Sequence, residues 1–279
     1  MKFTPRELKG NINVSKTHPV AELAWLVGGL TCLVLAVCLG LWFITELAVP
    51  RVPVDVEVWA GKKMMGKFPY QENPDLTRRL EDLLATLPAD SPLRKYDFSV
   101  STVENETVNA MALPGGHIVV YSGLLKQVRS ENELAMVLGH ELGHYAHRDH
   151  LRGMGRGLGT ALVLAMIFGQ DSLAAEMASN FFKTAEMSYS RQQESAADAF
   201  GLQLLAARYG HAGGATDFFS RLAGKVGARF TYLLASHPHP EDRIVELRKM
   251  IEARKYKVGK TVPLAWTHLL VNAKKAKSP

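Results

Sequence analysis

Apolar and polar positions divide the chain into one long uncharged run and a series of shorter periodic segments. From Leu23 to Thr45 the stretch LAWLVGGLTCLVLAVCLGLWFIT carries no charge. A membrane-crossing helix needs about 20 apolar residues, so this run is long enough to span. Trp25 and Trp42 stand near its two ends, where rings with a polar edge match the headgroup layer. A cleaved signal peptide has a shorter apolar core, about 7–15 residues, followed by small residues. Glu46-Leu47-Ala48 is a poor cleavage site, and the run reads as an uncleaved anchor.

Beyond it the periods change. Val52, Val54, Val56 and Val58 alternate with other residues between Pro50 and Trp59, the period of a half-buried strand. Asn73-Pro74 opens a helix through Leu87, with proline in the first turn and leucines turned inward. Tyr96–Val103 reads as a strand. Val108–Ala112 and Ile118–Tyr121 read as a strand pair around the turn signal Pro114-Gly115-Gly116. Ser130 and Glu133 have the spacing of a capping box, and Leu134, Ala135, Val137 and Leu138 give the helix that follows an apolar side. Gly153, Gly155, Gly157 and Gly159 then alternate with larger residues before an apolar run, Leu158–Phe168. At roughly eleven residues it is too short to span a bilayer. It is either a buried core helix or a lid or membrane-dipping segment hinged at the glycines. Ala174–Tyr209 reads as one long helix. A turn at Gly210–Gly214 leads to a helix over Ala215–Val226. Pro240 starts the last helix, with Glu241 and Asp242 in the first turn, where the helix dipole favours acids. From Lys257 the chain turns basic and ends in a loose tail containing Lys274, Lys275 and Lys277.

Charge orients this arrangement. Lys2, Arg6, Lys9 and Lys16 precede the uncharged run; Arg51 follows it closely, with Lys62 and Lys63 further out. That bias puts the N-terminus in the cytoplasm and everything after residue 50 outside, in a bacterium the periplasm. The expected organisation is a cytoplasmic tail (1–22), a transmembrane anchor (23–45), a folded domain (50–256) and a basic tail (257–279). The net charge of +6 is scattered rather than striped. With no zinc finger, RNP-type motif or Gly-rich phosphate loop, it points to anionic lipid and not to nucleic acid. Cys32 and Cys38 both lie in the apolar run, so the folded domain has neither a disulfide framework nor a thiolate metal site.

The chemistry centres on His140-Glu141-Leu142-Gly143-His144. On a helix the two histidines share one face, about one turn apart. Two neutral imidazoles so placed can grip one zinc ion, and Glu141 can reach a water there as general base without ligating. Glu194 and Asp198, also four apart, lie among Ser195, Ala196 and Ala197, small residues that allow close helix approach. Glu194 is the expected third ligand. Asp198 is the expected acceptor for a ligand histidine. His117, His147 and His150 are expected outside the ligand set. For His237, in Ser236-His237-Pro238-His239-Pro240, two roles stay open: a hydrogen-bonding or cationic partner of the tetrahedral intermediate, or a capping residue in a loop. In many zinc peptidases an edge strand beside the metal holds the substrate backbone; here that role is expected of Ile118, Val119, Val120 and Tyr121.

At these residues the chain resembles the HtpX-type zinc metallopeptidases, metallopeptidase family 48, which also holds the CAAX prenyl proteases. The resemblance covers about Asn109 to Ile244. It is carried by NAMALPGGHIVVYSGLL, HELGH, SRQQESAADAFG and SHPHPEDRI, in that order. It implies an α+β, mainly helical zincin-like domain with a small antiparallel sheet behind one transmembrane helix. It implies one Zn2+ at His140, His144 and Glu194, Glu141 as base, and supporting roles for Asp198 and His237. HtpX and the CAAX enzymes carry several spans and this chain one, so it looks more like single-anchor or periplasmic members that cleave misfolded envelope proteins. The implied partners are a polypeptide substrate and the lipid bilayer; the oligomeric state is not legible. The rival reading from another class is a membrane-anchored holdase or assembly factor with little or no proteolysis, which has no need of Glu141.

Overall fold

The computed structural model describes residues 18–66, 70–168, 189–224, 230, 233, 237 and 240–265, without the side chains of residues 158 and 160–168. It forms two compact units, Met1–Ile44 and Thr45–Pro279. The first is made of most of α1 (Pro19–Ala48), none of whose residues is buried. Extended by a 3-10 turn, it is the one helix among the described residues long and apolar enough to cross a membrane, Pro19–Arg51.

The second unit begins with a departure from expectation. The alternating valines between Pro50 and Trp59 were read as a strand; from Val54 on they lie instead in helix α2 (Val54–Met65). Pro53 precedes its first turn in an extended conformation, and Asp55 and Glu57 sit where the helix dipole favours acids. The buried positions are Glu57, Gly61, Met64 and Met65, a helical period. Val56 is left exposed. The β-branched alternation was a local coincidence that tertiary packing overrode.

Helix α3 (Pro74–Leu84) starts as expected, with Asn73 Oδ1 accepting the Leu76 N–H at 3.1 Å. Leu76, Leu80 and Leu83 form its buried stripe. The sheet holds β1 (Gln71–Glu72), β2 (Ser99–Val103), β3 (Ala110–Leu113) and β4 (His117–Tyr121) in the order β1-β2-β4-β3. The expected hairpin is present as β3 and β4, antiparallel. Gly115 and Gly116 turn it at φ 81° and 89°, a region open to glycine and costly for other residues. The sheet is not antiparallel throughout: β2 and β4 run parallel, making it mixed. β4 is apolar along Ile118–Val120, all three buried. Such a run suits an interior strand, and among the described strands the edges fall to β1 and β3.

After the short α4 (Ser122–Leu125) comes α5 (Glu131–Ala146). Ser130 Oγ accepts the Glu133 N–H at 3.2 Å. Glu133 Oε2 accepts from Arg129 N at 2.9 Å, one residue beyond the reciprocal partner a capping box requires. Helix α6 (Asp149–Phe168) runs unbroken through the four alternating glycines. What Leu158 and residues 160–168 pack against lies outside the described side chains. The long helix read from Ala174 starts, in its described part, only at Arg191: α7 is Arg191–Tyr209. Ser190 and Gln193 form its reciprocal capping box, while 174–188 lie outside the described residues. α7 ends on Gly210 at φ 72°. α8 (Asp217–Leu222) and α9 (Pro240–Ala253) follow. The segment after Lys257 is held as far as Ala265: Glu131 N donates to Val262 O at 3.0 Å and Ala265 N to Glu131 Oε1 at 3.2 Å. The lysines at 274, 275 and 277 lie outside the described residues.

One core joins these elements. Leu76 and Leu80 of α3, Val100 of β2, Leu134 and Leu138 of α5 and Leu202 of α7 are all essentially inaccessible. Each such side chain contributes about 1.5–3 kcal/mol on burial. Glycines line the crossing of α5 and α7 and let the two helices approach closely. A Cβ built on Gly143 would lie 2.7 Å from Ala197 Cα, and one on Gly201 2.9 Å from His140 N. Small residues here bring two polar helix faces within bonding distance.

Candidate metal centre

That crossing places His140, Glu141 and His144 of α5 opposite Glu194 and Asp198 of α7. His237, on a bend ahead of α9, closes the group. The Nε2 atoms of His140 and His144 lie 3.1 Å apart. Glu194 Oε1 is 3.4 Å from His144 Nε2, and its Oε2 is 3.7 Å from His140 Nε2. His237 Nδ1 lies 3.2 Å from His140 Nε2 and 2.9 Å from Glu194 Oε1. One donor atom from each of His140, His144, Glu194 and His237 falls within 4.8 Å of the other three, and all four residues are buried.

The other ring nitrogens assign the tautomers. His140 Nδ1 is 2.9 Å from Asp198 Oδ1, and His144 Nδ1 is 3.0 Å from Asp149 Oδ2. Each carboxylate can only accept, so each Nδ1 carries the hydrogen and each Nε2 presents a lone pair. Two lone pairs facing each other at 3.1 Å repel unless a positive centre lies between them. The surroundings shift the two rings in opposite directions. Burial, then Arg243, holds His140 below its ordinary pKa. Burial also opposes the charging of His144, but its bonds to Asp149 and Glu194 outweigh it and push it up to about 9. Glu194 is held far below the carboxylate range, against burial, by His237, Arg243 and His140. Asp198 is likewise low, against burial, because of Arg243 and the bond from His140.

The donor set fits zinc. Bonds of 2.0–2.2 Å in a tetrahedron place ligand atoms about 3.3 Å apart, close to the separations here. Two imidazoles, a carboxylate and a third imidazole are borderline-soft and nitrogen-rich, as zinc prefers. Glu141 lies beside the set without joining it. Its Oε1 is 4.0 Å from His237 Nε2, and its Oε2 is buried with no hydrogen-bond partner among the described residues. It borders a cavity of about 20 Å³ lined also by Ala110, Val137, Phe218 and Leu233.

The expected site residues therefore converge, with two differences. His237 was expected as a supporting group; its Nδ1 stands among the donors themselves. Ile118–Tyr121 were expected as a substrate-holding edge, but β4 is paired on both sides and has no free backbone row. Among the described strands the edges are β1 and β3, and it is β3 whose Ala110 borders the cavity at His140 and Glu141. His117 bonds Ser99 Oγ, His147 bonds Gly143 O, and His150 bonds Glu57, all outside the donor set.

Three further residues build the centre. Arg243 pairs with Asp198 through two bonds, Nε to Oδ2 at 2.9 Å and Nη2 to Oδ1 at 2.6 Å, and reaches Glu194 Oε2 at 3.2 Å. In the sequence it shows only as the arginine of SHPHPEDRI, in the first turn of the last helix, with no role assigned to it. Asp149, five residues past His144, holds that ring and is itself held by Gln193 Nε2 at 2.7 Å. Tyr189 stacks on His144 at 3.8 Å between ring centres, and burial raises its hydroxyl pKa well above the ordinary value.

Known proteins resemble this chain in sequence. A putative beta-barrel assembly-enhancing protease of Vibrio cholerae is 31% identical over 245 residues, 81% of this chain and 50% of the relative. The mitochondrial metalloendopeptidase OMA1 of Arabidopsis thaliana is 32% identical over 157 residues, 56% of this chain and 32% of the relative. The metalloprotease LoiP of Escherichia coli is 30% identical over 186 residues, 65% of this chain and 73% of the relative. The chain thus spans half or less of the length of the first two. The model of peptidase family M48 matches residues 70–251, from just before the first strand to near the end of α9 and across every residue of the centre. That match covers well over half of the chain, and the chain belongs to peptidase family M48.

Proposed function

We propose that this peptidase is zinc-dependent, is held to a membrane by α1, and hydrolyses peptide bonds in misfolded or membrane-associated envelope proteins. The observation that carries the catalytic part is the pair of facing Nε2 atoms joined by Glu194, with Glu141 buried beside them and its Oε2 without a hydrogen-bond partner among the described residues. His140, His144 and Glu194 would hold the metal, with His237 as a fourth donor in the resting arrangement. Zinc bound there supplies a Lewis acid and lowers the pKa of a bound water to about 7. Glu141 takes the proton as the water oxygen attacks the scissile carbonyl, then returns a proton to the leaving amine as the C–N bond breaks. Asp198 and Asp149 hold the two imidazoles in the tautomer that leaves Nε2 free, and Arg243 holds Asp198. His237, whose Nδ1 stands among the donors, would compete with water for the position a catalytic zinc site keeps open. An extended polypeptide can pair with the free edge of β3, which brings its backbone past Ala110 to Glu141.

Membrane anchorage is supported by the length and apolar composition of α1. The Lys/Arg bias supports a periplasmic peptidase unit. Envelope substrates are suggested by the relatives named for beta-barrel assembly. The test is full-length protein in detergent, wild type against Glu141→Gln, with zinc content and cleavage of an unfolded protein measured together. One zinc per chain in both, with cleavage lost only in the variant, is the expected result. Equal cleavage by both would rule out Glu141 as the base, and no zinc in either would remove the metal centre.

A further inference from the structure

Asp149 orients a metal-side histidine, yet it sits at the first residue of α6, after a two-residue turn from α5. Its placement therefore depends on the backbone of Arg148. That residue has φ 55°, one of two non-glycine positive values among the described residues. Such a conformation is unfavourable for a residue with a Cβ and persists only when its surroundings hold it. The holding is done by its own side chain. Arg148 Nη1 donates to Val49 O at 2.7 Å and to Val52 O at 2.8 Å, and Nη2 meets Glu57 Oε1 at 2.9 Å. Glu57 is buried on α2, where it also accepts from Tyr96 Oη at 2.9 Å and pairs with His150 Nε2 at 3.2 Å. The residues on both sides of Asp149 are thus fastened to the segment that directly follows the apolar helix.

We infer that Arg148, gripped by Glu57 and by the carbonyls of Val49 and Val52, is a positioning residue for the metal centre. It holds the left-handed turn that aims Asp149 at His144. The linker behind the anchor is thereby a working part of the site: a change in residues 49–57 alters how tightly the metal is held without touching a ligand. This rests on the metal-centre reading above.

The experiment measures zinc affinity and zinc dissociation rate, by competition with a chromogenic chelator, on the full chain in detergent. The variants are Arg148→Ala, Arg148→Gly and Glu57→Gln, each checked for fold by far-UV circular dichroism. Loss of a group supporting a metal ligand typically weakens binding about 10–100-fold, and that loss is expected of Arg148→Ala. Glycine adopts the left-handed turn without a grip, so Arg148→Gly should stay less than about tenfold weaker. A purely structural role for the side chain predicts equal losses in the two variants, and that result would overturn the inference, as would unchanged affinity in Arg148→Ala. Should Arg148→Ala fail to fold, Glu57→Gln decides: faster zinc release supports the grip and an unchanged rate refutes it. A wild-type chain that takes up no zinc would fail the metal-centre reading itself, a result distinct from all of these.

Discussion

Replacing Gly143 by alanine tests whether the close crossing of α5 and α7 sets the ligand spacing. Two effects oppose each other. Alanine is favoured over glycine in a helix interior by about 1 kcal/mol. Against that, the added Cβ would lie 2.7 Å from Ala197 Cα and 2.9 Å from Ala197 O. Ordinary carbon contacts begin near 3.5 Å, so the helices must part by roughly 1 Å. Both partners are backbone, and no side chain can rotate away. Overpacking costs about 1–3 kcal/mol, and a rigid contact belongs at the upper end, leaving a net loss of about 2 kcal/mol. For a unit of this size that lowers Tm by about 4–8 °C. The same parting draws Glu194 away from His140 and His144, so zinc affinity falls with stability. The assay is thermal unfolding of the metal-free chain, then a zinc titration. Gly66→Ala is the control: its φ is −60° and the nearest atom to the added Cβ is 3.7 Å away, so a gain of about 0.4–1 kcal/mol is expected. A Gly143→Ala protein that is more stable than wild type and binds zinc equally well would refute the claim.

Arg243→Met leaves Asp198 and Glu194 without their buried cation and should cost about 3–5 kcal/mol in urea unfolding of the metal-free chain; a loss below about 1 kcal/mol would mean the pair is not what holds α9 to α7. Arg243→Lys should recover little, because an ammonium cannot reproduce the two-bond pairing with Asp198. Zinc at 100 times its Kd should raise unfolding stability by about 2.7 kcal/mol, and a zinc-independent melting temperature would contradict binding to the folded state. Glu131, bonded to Arg79 at 2.7 and 2.8 Å, has its carboxyl held below the ordinary range chiefly by that arginine. Because the folded pKa is the lower one, this contribution is full above the unfolded value of about 4.3 and lost as pH falls through the folded value. Glu131→Gln should accordingly flatten the acid limb of a stability–pH curve, and an unchanged limb would show the pair contributes nothing.

What was legible in the sequence follows from the range of each interaction. The helix carrying His140 and His144 was readable because its start, its apolar side and the four-residue spacing are all local. The β3–β4 hairpin was readable because Pro114-Gly115-Gly116 announces it. Alternation alone misled at residues 52–58, where four valines matched the strand period while the residues that pack, Glu57, Gly61 and Met64, follow the helical one. Pairing between distant strands leaves no local mark. Nothing in Ser99–Val103 says that it lies parallel to His117–Tyr121, so the edge strand was assigned one position too far along.

The centre divides along the same line. His140, Glu141, His144, Glu194 and Asp198 are legible because each pair repeats at a helical interval and small residues flank the acids. Arg243 and Asp149 are not, and His237 was legible as a supporting group but not as a donor, because each depends on where a loop or a helix end comes to rest. Arg243 lies 103 residues from His140, and only the packing of α9 on α7 and α8 brings its guanidinium to Asp198. Phe219 of α8 completes that placement, its ring 4.1 Å from the guanidinium carbon. A buried carboxylate such as Asp198 demands a partner cation. Asking what neutralises it would have pointed to the few arginines near apolar helix faces. The chemistry of the ligands is thus written locally, and the groups that hold them in tautomer and register are written in the tertiary fold.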